Sequence, residues 1–416
     1  MTTHRDPGLA APGRRRLRDR VEAEAYVASV CFKHGPPKLL GVELEWTVHH
    51  EDDPRRPLDQ ARLAAALGPH APRTLVPDSP QLPLPAGSPV TLEPGGQVEI
   101  SALPQATLAA LFDSVTADLG SLIELMADAG LVLGNRGTDP YRSPRRVLDT
   151  PRYAAMEKAF EPIGPHGITM MCATAALQVC IDVGEEAALA SRWAAVSALG
   201  PVLVAAFANS PELYGRSTGW ASSRLRAVLG VDPPRSLPMA ITADPAGDWA
   251  RRVLDTPLLC VRNPSDCWDA PSGTTFADWL DGALPAPPTI DDLDYHVSTL
   301  FTPVRPHGYL EVRYLDAQPG MGWVAPVALL AALMSSQRTV DAVVDLCLPV
   351  ADRWLPAARD GLADRQLADV ARQVIELGIP YLPETGLTKE VAESIATDLD
   401  RVLHTAARPV TNGRTP

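Results

Sequence analysis

Apolar and polar residues alternate strictly through Gly41-Val42-Glu43-Leu44-Glu45-Trp46-Thr47-Val48. Side chains alternate faces along a strand, so Val42, Leu44, Trp46 and Val48 form an apolar face, and Glu43, Glu45 and Thr47 a polar one. Two more stretches pair an acidic face with an apolar one. Leu92-Glu93-Pro94-Gly95-Gly96 predicts a turn or bulge, after which Gln97, Glu99 and Ser101 oppose Val98 and Ile100. In Gly308 to Asp316, Tyr309, Glu311 and Arg313 oppose Leu310, Val312 and Tyr314. Met170 to Asp182 reads as a further strand, with Thr174, Ala176, Gln178 and Cys180 opposite Leu177, Val179 and Ile181. A short apolar strand is expected at Leu131 to Leu133.

Helical periodicity predicts a first helix over residues 17–33 and a short one near Leu58 to Leu67. A stripe of Leu108, Leu111, Phe112, Val115, Leu119, Leu122 and Met126 predicts a long amphipathic helix over Thr107 to Ala129, capped by Gly130. Residues 187–208 read as a helical pair kinked at Gly200-Pro201. The stretch from Val324 to Ala406 reads as mostly helical, with loops near Pro349 and Gly378 to Gly386. Between His49 and Val90 the chain is rich in proline and charge and reads as an excursion between two strands. His49-His50, beside Glu51-Asp52-Asp53, reads as solvated surface. An irregular stretch after Asn209-Ser210-Pro211 carries Arg216, Arg224, Arg226 and Arg235.

The chain has 416 residues, 46% of them hydrophobic, enough for a large core and for two domains or one α+β unit. The expected organisation is an N-terminal arm and helix (1–37), a sheet core with helical insertions (38–325) and a C-terminal helical region on the same domain (326–416). A net charge of −13 disfavours nucleic acid and membrane surfaces as partners. Met-Thr-Thr-His-Arg-Asp has no apolar run behind its charges, so no secretion signal is expected there. Arg14 to Arg16 read as a disordered basic arm. No apolar run is expected to span a bilayer; Val202 to Ala208 is too short. Six scattered cysteines without a C-x-x-C pair fit reduced thiols of a cytoplasmic protein.

Glu43, Glu45, Glu99, Gln178 and Glu311 come from four predicted strands and would meet on one face if the sheet curves. Such carboxylates cannot all stay ionised in a partly buried space without counter-charge. Oxygen ligands alone point to Mg2+ or Mn2+ rather than zinc, and interspersed arginines suit phosphate or carboxylate groups. No P-loop and no dinucleotide fingerprint occurs, so a nucleotide site here would be of another kind.

The motifs GVELEW, LEPGGQVEIS, RYAAM, TAALQVCID, ANSPELYGRSTGWASSR, STLFTPVR and YLEVRYLD resemble the plant- and proteobacterial-type glutamate–cysteine ligases. The composition is similar to the actinobacterial branch associated with ergothioneine biosynthesis. The resemblance runs from about Leu40 to Asp316. It implies a glutamine-synthetase-like α+β fold: a curved six-stranded antiparallel sheet with helices packed outside. It implies ATP, Mg2+ (or Mn2+), L-glutamate and L-cysteine as ligands, and a γ-glutamyl phosphate intermediate. It carries metal-ligand roles onto Glu43, Glu45, Glu99 and Glu311, with Gln178 and Glu93 as further ligands or neighbours, and places Arg313 near the transferred phosphate. Glu93 is also a candidate for the amine proton. Arg224, Arg152, Arg235 and Thr174 are the substrate-binding candidates, the first for an anionic group. A monomer or weak homodimer is expected. The plant T-C-T-V-Q strand is Thr174-Ala175-Ala176-Leu177-Gln178 here, a departure at the amino-acid contacts. Three other readings stay open: a ligase of the same fold with another amine acceptor, a two-metal phosphate-ester hydrolase, and a non-catalytic metabolite-binding protein.

Overall fold

The alternating stretches pair into one six-stranded antiparallel sheet. The computed structural model describes residues 15–406. Its strands there are β1 (Leu40–Trp46), β2 (Val48–His50), β3 (Val90–Leu92), β4 (Val98–Ser101), β5 (Leu131–Leu133), β6 (Ala176–Ile181), β7 (Glu212–Leu213), β8 (Arg216–Ser217), β9 (Val304–Pro306) and β10 (Leu310–Asp316). The main sheet has the order β3-β4-β1-β6-β10-β9, and every neighbouring pair is antiparallel. Its register sets Glu45 opposite Glu99 and Glu43 opposite Gln178. Glu311 lies between Cys180 on β6 and Arg305 on β9.

The apolar face is buried: Val42, Leu44, Ile100, Leu177, Val179, Leu310 and Val312 are each at most 4% exposed. Each such side chain stabilises the fold by about 1.5–3 kcal/mol. Leu108–Asp128 packs on β1 and Leu189–Phe207 on β10. The same continuous core takes in Leu329, Leu333, Val343 and Leu367 of the helices after residue 324. A separate small cluster joins Met156, Phe160, Met171, Cys172, Val231 and Leu259.

Two local irregularities shape the polar face. In the β3–β4 hairpin, Glu93 O accepts from Gly96 N and Glu93 N donates to Gln97 O, both at 2.9 Å. Gly96 has φ +83°, and a Cβ on Gly95 would lie 2.2 Å from the Cys172 carbonyl oxygen, so the turn needs glycine twice. In β10 the register on β6 slips between Val312, opposite Val179, and Leu315, opposite Leu177. This extra residue is a bulge, and it resets the alternation. Asp316, opposite Ala176, therefore shares a face with Glu311 rather than with Leu310.

Several expectations are corrected. Met170 to Asp182 is not one strand: His166–Cys172 is helical and β6 begins at Ala176. The kinked pair is one helix, Leu189–Phe207, with Pro201 inside it. Glu186–Phe207 is long and apolar enough to cross a membrane, but most of it is buried in the core. His49 and His50 are buried, because β2 pairs with β5 instead of ending at the surface. His49 Nε2 lies 3.4 Å from Asp139, and His50 Nε2 lies 3.2 Å from Pro57 O. Arg14 lies outside the described residues. Arg15 and Arg16 are tied down instead of loose, since Arg15 O accepts from Ile290 N at 3.0 Å and Arg16 bridges to Thr289. Arg224 sits on a helix, Ser223–Leu229, not in irregular chain.

Candidate active site

Strands β1, β4 and β6 set three polar side chains side by side. Glu45 Oε2 accepts from Ala176 N and Glu45 Oε1 from Gln178 Nε2, both at 2.7 Å. Glu99 Oε1 accepts from Thr91 Oγ1 at 2.6 Å and from Ser101 Oγ at 3.3 Å, and Glu99 Oε2 accepts from Gln178 Nε2 at 3.4 Å. Gln178 thus bridges two carboxylates with its amide nitrogen. Its oxygen accepts from Arg313 Nη1.

Arg313 reaches the other half of the site. Its Nη1 lies 3.1 Å from Glu311 Oε1. Arg305 donates to both oxygens of Glu311, Nε at 2.6 Å and Nη2 at 3.1 Å, a two-pronged pairing that fits guanidinium to carboxylate. Glu311 was expected to be a metal ligand; here its oxygens are occupied by arginines. Glu43, Cys180 and Glu311 bring ligand atoms within 4.8 Å of one another, but a cation there would compete with two guanidiniums.

These groups line a cavity of about 360 Å3, within the roughly 300–1,000 Å3 of small-ligand sites. Glu43, Glu45, Glu93, Glu99, Gln178, Arg305 and Arg313 form its sheet side. Arg152, Tyr153, Met170, Met171, Thr174, Arg224 and Phe301 face them. The carboxylates of Glu43 and Glu93 have no hydrogen-bond partner among the described residues. Burial, with Glu311 close by, pushes Glu43 up to about 7. Burial beside Glu45 and Glu99 pushes Glu93 up to about 8, and burial beside Glu43 and Glu45 does the same to Glu99. Burial would raise Glu311 too, but Arg305 and Arg313 outweigh it and hold that carboxyl down at about 2. Burial works against charge on Arg313 as well, yet Glu311, Glu45, Glu43 and Glu99 together raise it. The open carboxylates of Glu43 and Glu93, beside those of Glu45 and Glu99, are oxygen donors that fit a hard divalent cation.

The covering side carries the remaining candidates. Arg224 Nη2 donates to Arg313 O at 2.6 Å, while its Nη1 is buried without a hydrogen-bond partner. Arg152 donates to Ser298 Oγ and Ser298 O, both at 3.1 Å, and lies over the Tyr295 ring. The Thr174 hydroxyl donates to Met170 O at 2.7 Å. Arg235 is not brought to this cavity. It borders a different one, and its donors hold Thr299 O and Thr299 Oγ1 at 2.8 Å, Pro257 O, and Asp232 Oδ2 at 3.2 Å. A fully buried guanidinium with its donors spent on the protein is a structural brace, and the substrate role expected for Arg235 is withdrawn.

Over residues 39–416 the chain matches the family described as glutamate-cysteine ligase family 2. It is 38% identical to the glutamate–cysteine ligase EgtA of Mycobacterium tuberculosis H37Rv, across 90% of this chain and 86% of that protein. Identity to EgtA of Mycolicibacterium smegmatis is 36%, over 91% and 88%. The chain belongs to glutamate–cysteine ligase family 2. A chloroplastic glutamate–cysteine ligase of Medicago truncatula is 30% identical, over 73% of this chain and 64% of that one. The solved glutamate–cysteine ligase of Francisella tularensis, in complex with AMP, has a TM-score of 0.51 over 91% of this chain and 84% of its own, at 11% identity. At that identity the likeness concerns fold alone.

In this family member, three side chains escaped the sequence reading as site groups. Arg305 sits on a three-residue strand too short to show a period, although its motif STLFTPVR stood out. Gln97 donates its amide to Thr174 O at 2.8 Å and to Met171 O at 3.3 Å, tying the hairpin to the cavity wall. Its signal was its place on the face of Glu99. Asp316 fell on the wrong face of an idealised strand, because nothing local announced the bulge.

Proposed function

We propose that the protein is an ATP-dependent glutamate–cysteine ligase that makes γ-glutamylcysteine, the product being used for ergothioneine assembly in the cytoplasm. One observation supports the reading above others. Carboxylates from β1, β4 and the β3–β4 turn share a cavity with Arg313 and Arg224 in a chain of this family. Glu43, Glu45 and Glu99 are the residues that would hold Mg2+, with Gln178 orienting Glu45 and Glu99 and Glu93 beside them. The bound ion would neutralise phosphate oxygens and absorb charge developing in phosphoryl transfer.

The chain's own groups account for the rest. Arg313, fixed between Gln178 and Glu311, faces the transferred phosphoryl group and stabilises its charge. The glutamate γ-carboxylate attacks the γ-phosphorus and ADP departs. The cysteine amine then attacks the acyl carbon of γ-glutamyl phosphate, and inorganic phosphate leaves. The amine proton passes to Glu93, whose carboxylate lines the cavity with no hydrogen-bond partner of its own among the described residues. Arg224 Nη1 supplies an unspent donor for a substrate carboxylate or phosphate, and Arg152 and Thr174 line the same wall. Met171 and Phe301 help to exclude water, which would hydrolyse the acyl phosphate.

The test is phosphate release from ATP. It should require Mg2+ and rise strongly only when glutamate and cysteine are both present. Release without amino acids would favour a phosphate-ester hydrolase. Release with glutamate and another amine, but not cysteine, would favour a sister ligase.

A further inference from the structure

The bulge in β10 turns Asp316 onto the polar face, and both of its buried oxygens are engaged. Oδ2 accepts from Asn209 N at 2.9 Å and Ser210 Oγ at 2.7 Å, and Oδ1 accepts from Ser222 Oγ at 2.8 Å. Each serine continues the chain of bonds. Ser210 Oγ accepts from Arg224 N, and Ser222 Oγ, the N-cap of Ser223–Leu229, accepts from Leu225 N, both at 3.1 Å. A hydroxyl has one proton, so each donates to Asp316 and accepts from a helix amide. The start of the helix that carries Arg224 is therefore anchored to one carboxylate through two serines.

The guanidinium of Arg224 meets the same carboxylate. Its Nη1 lies 3.8 Å from Asp316 Oδ1, too far for a hydrogen bond but close enough for charge attraction. Its Nη2 is fixed on Arg313 O at 2.6 Å. The fit around Asp316 is tight: a Cβ on Gly137 would lie 2.8 Å from its Cβ and Cγ.

We propose that Asp316 is a positioning residue, acting through Ser210 and Ser222 to hold Arg224 Nη1 toward the anionic group of a substrate. This rests on the reading of Arg224 as the group that grips that anion. Asp316 touches no substrate itself.

Steady-state kinetics with ATP, glutamate and cysteine varied in turn test it, in wild type, Arg224→Ala, Asp316→Asn and the double variant. Asparagine removes the charge and replaces an acceptor-only group with one bearing N–H on one side, so one serine can no longer donate to residue 316. Arg224→Ala should raise one substrate's KM about tenfold or more, with kcat little changed. Asp316→Asn should raise the same KM about fivefold, and the double variant should match Arg224→Ala within about twofold, because both changes remove one arrangement. If Asp316→Asn lowers Tm but leaves that KM alone, or if its effect multiplies with that of Arg224→Ala, the proposal is overturned. Should Asp316→Asn fail to fold, Ser210→Ala takes its place in the same cycle with the same two outcomes. If Arg224→Ala moves no KM while wild type remains an active ligase, the anion-gripping role fails and the proposal falls with it. If wild type releases no phosphate with glutamate and cysteine, it is the ligase reading that is lost.

Discussion

The two halves of the polar face treat their acids in opposite ways. Along β1, β4 and the turn before β4, burial pushes Glu43, Glu93 and Glu99 up to about 7 or 8, helped by nearby carboxylates: Glu311 and Glu45 beside Glu43, Glu45 and Glu99 beside Glu93, and Glu43 and Glu45 beside Glu99. Along β10, Glu311 is buried more deeply, yet Arg305 and Arg313 hold it at about 2. One half is short of positive charge and the other is already neutralised. The difference teaches where an incoming cation is wanted and where it is not: a hard ion relieves the first half and disturbs the second.

The comparison can be broken by removing one charge from each half. Glu311→Gln leaves two half-buried arginines short of their acid, and should cost about 1.5–3 kcal/mol of stability in chemical denaturation. Below 1 kcal/mol, the pairing would count for little. The Glu311 contribution is present above its ordinary value and is lost as pH falls toward about 2, so the deficit of the variant should shrink in acid. Glu99→Gln should do the reverse. It relieves crowding, so the metal-free protein should keep or gain Tm at pH 8, while turnover falls about 100-fold or more for want of a ligand. Near-normal turnover would remove Glu99 from the metal set. The smallest expected effect sharpens the contrast by pH. Glu43, Glu93 and Glu99 hold protons below about 7 or 8, and a cation must displace them. The Tm gain conferred by Mg2+ should therefore grow from pH 6.5 to 8.5, with affinity rising about tenfold per pH unit for each proton released. A flat profile would place the ion away from these acids.

Much of this was legible in the chain, for a definite reason. Period-two alternation names the face a residue takes, and it found Glu43, Glu45, Glu99, Gln178 and Glu311 without any knowledge of strand order. Alternation says nothing about which strand lies alongside. The neighbour of Glu311 is Arg305 on a strand of three residues, and that register decides that this acid is paired while Glu43 is open. A bulge is equally silent, since Tyr314-Leu315-Asp316 reads as ordinary strand although Asp316 has changed sides. Met170 to Cys172, the end of the helix His166–Cys172, was read as strand because a short apolar run has no period of its own to betray it. His49 and His50 were misplaced by the acids that follow them in sequence, which point to solvent while the histidines do not. Arg235 shows the opposite error, in which charge beside a promising motif was taken for function and proved to be a brace.

Gln178 stands between Glu45 and Arg313, giving its N–H to one and its carbonyl to the other. An amide satisfies both without becoming an ion, so it acts as an electrical insulator at the junction. Were the acid and the guanidinium free to close on each other, they would quench the very field that draws a cation in. By keeping the opposite charges apart yet each saturated on the inner side, one neutral residue lets the pocket stay polarised and receptive.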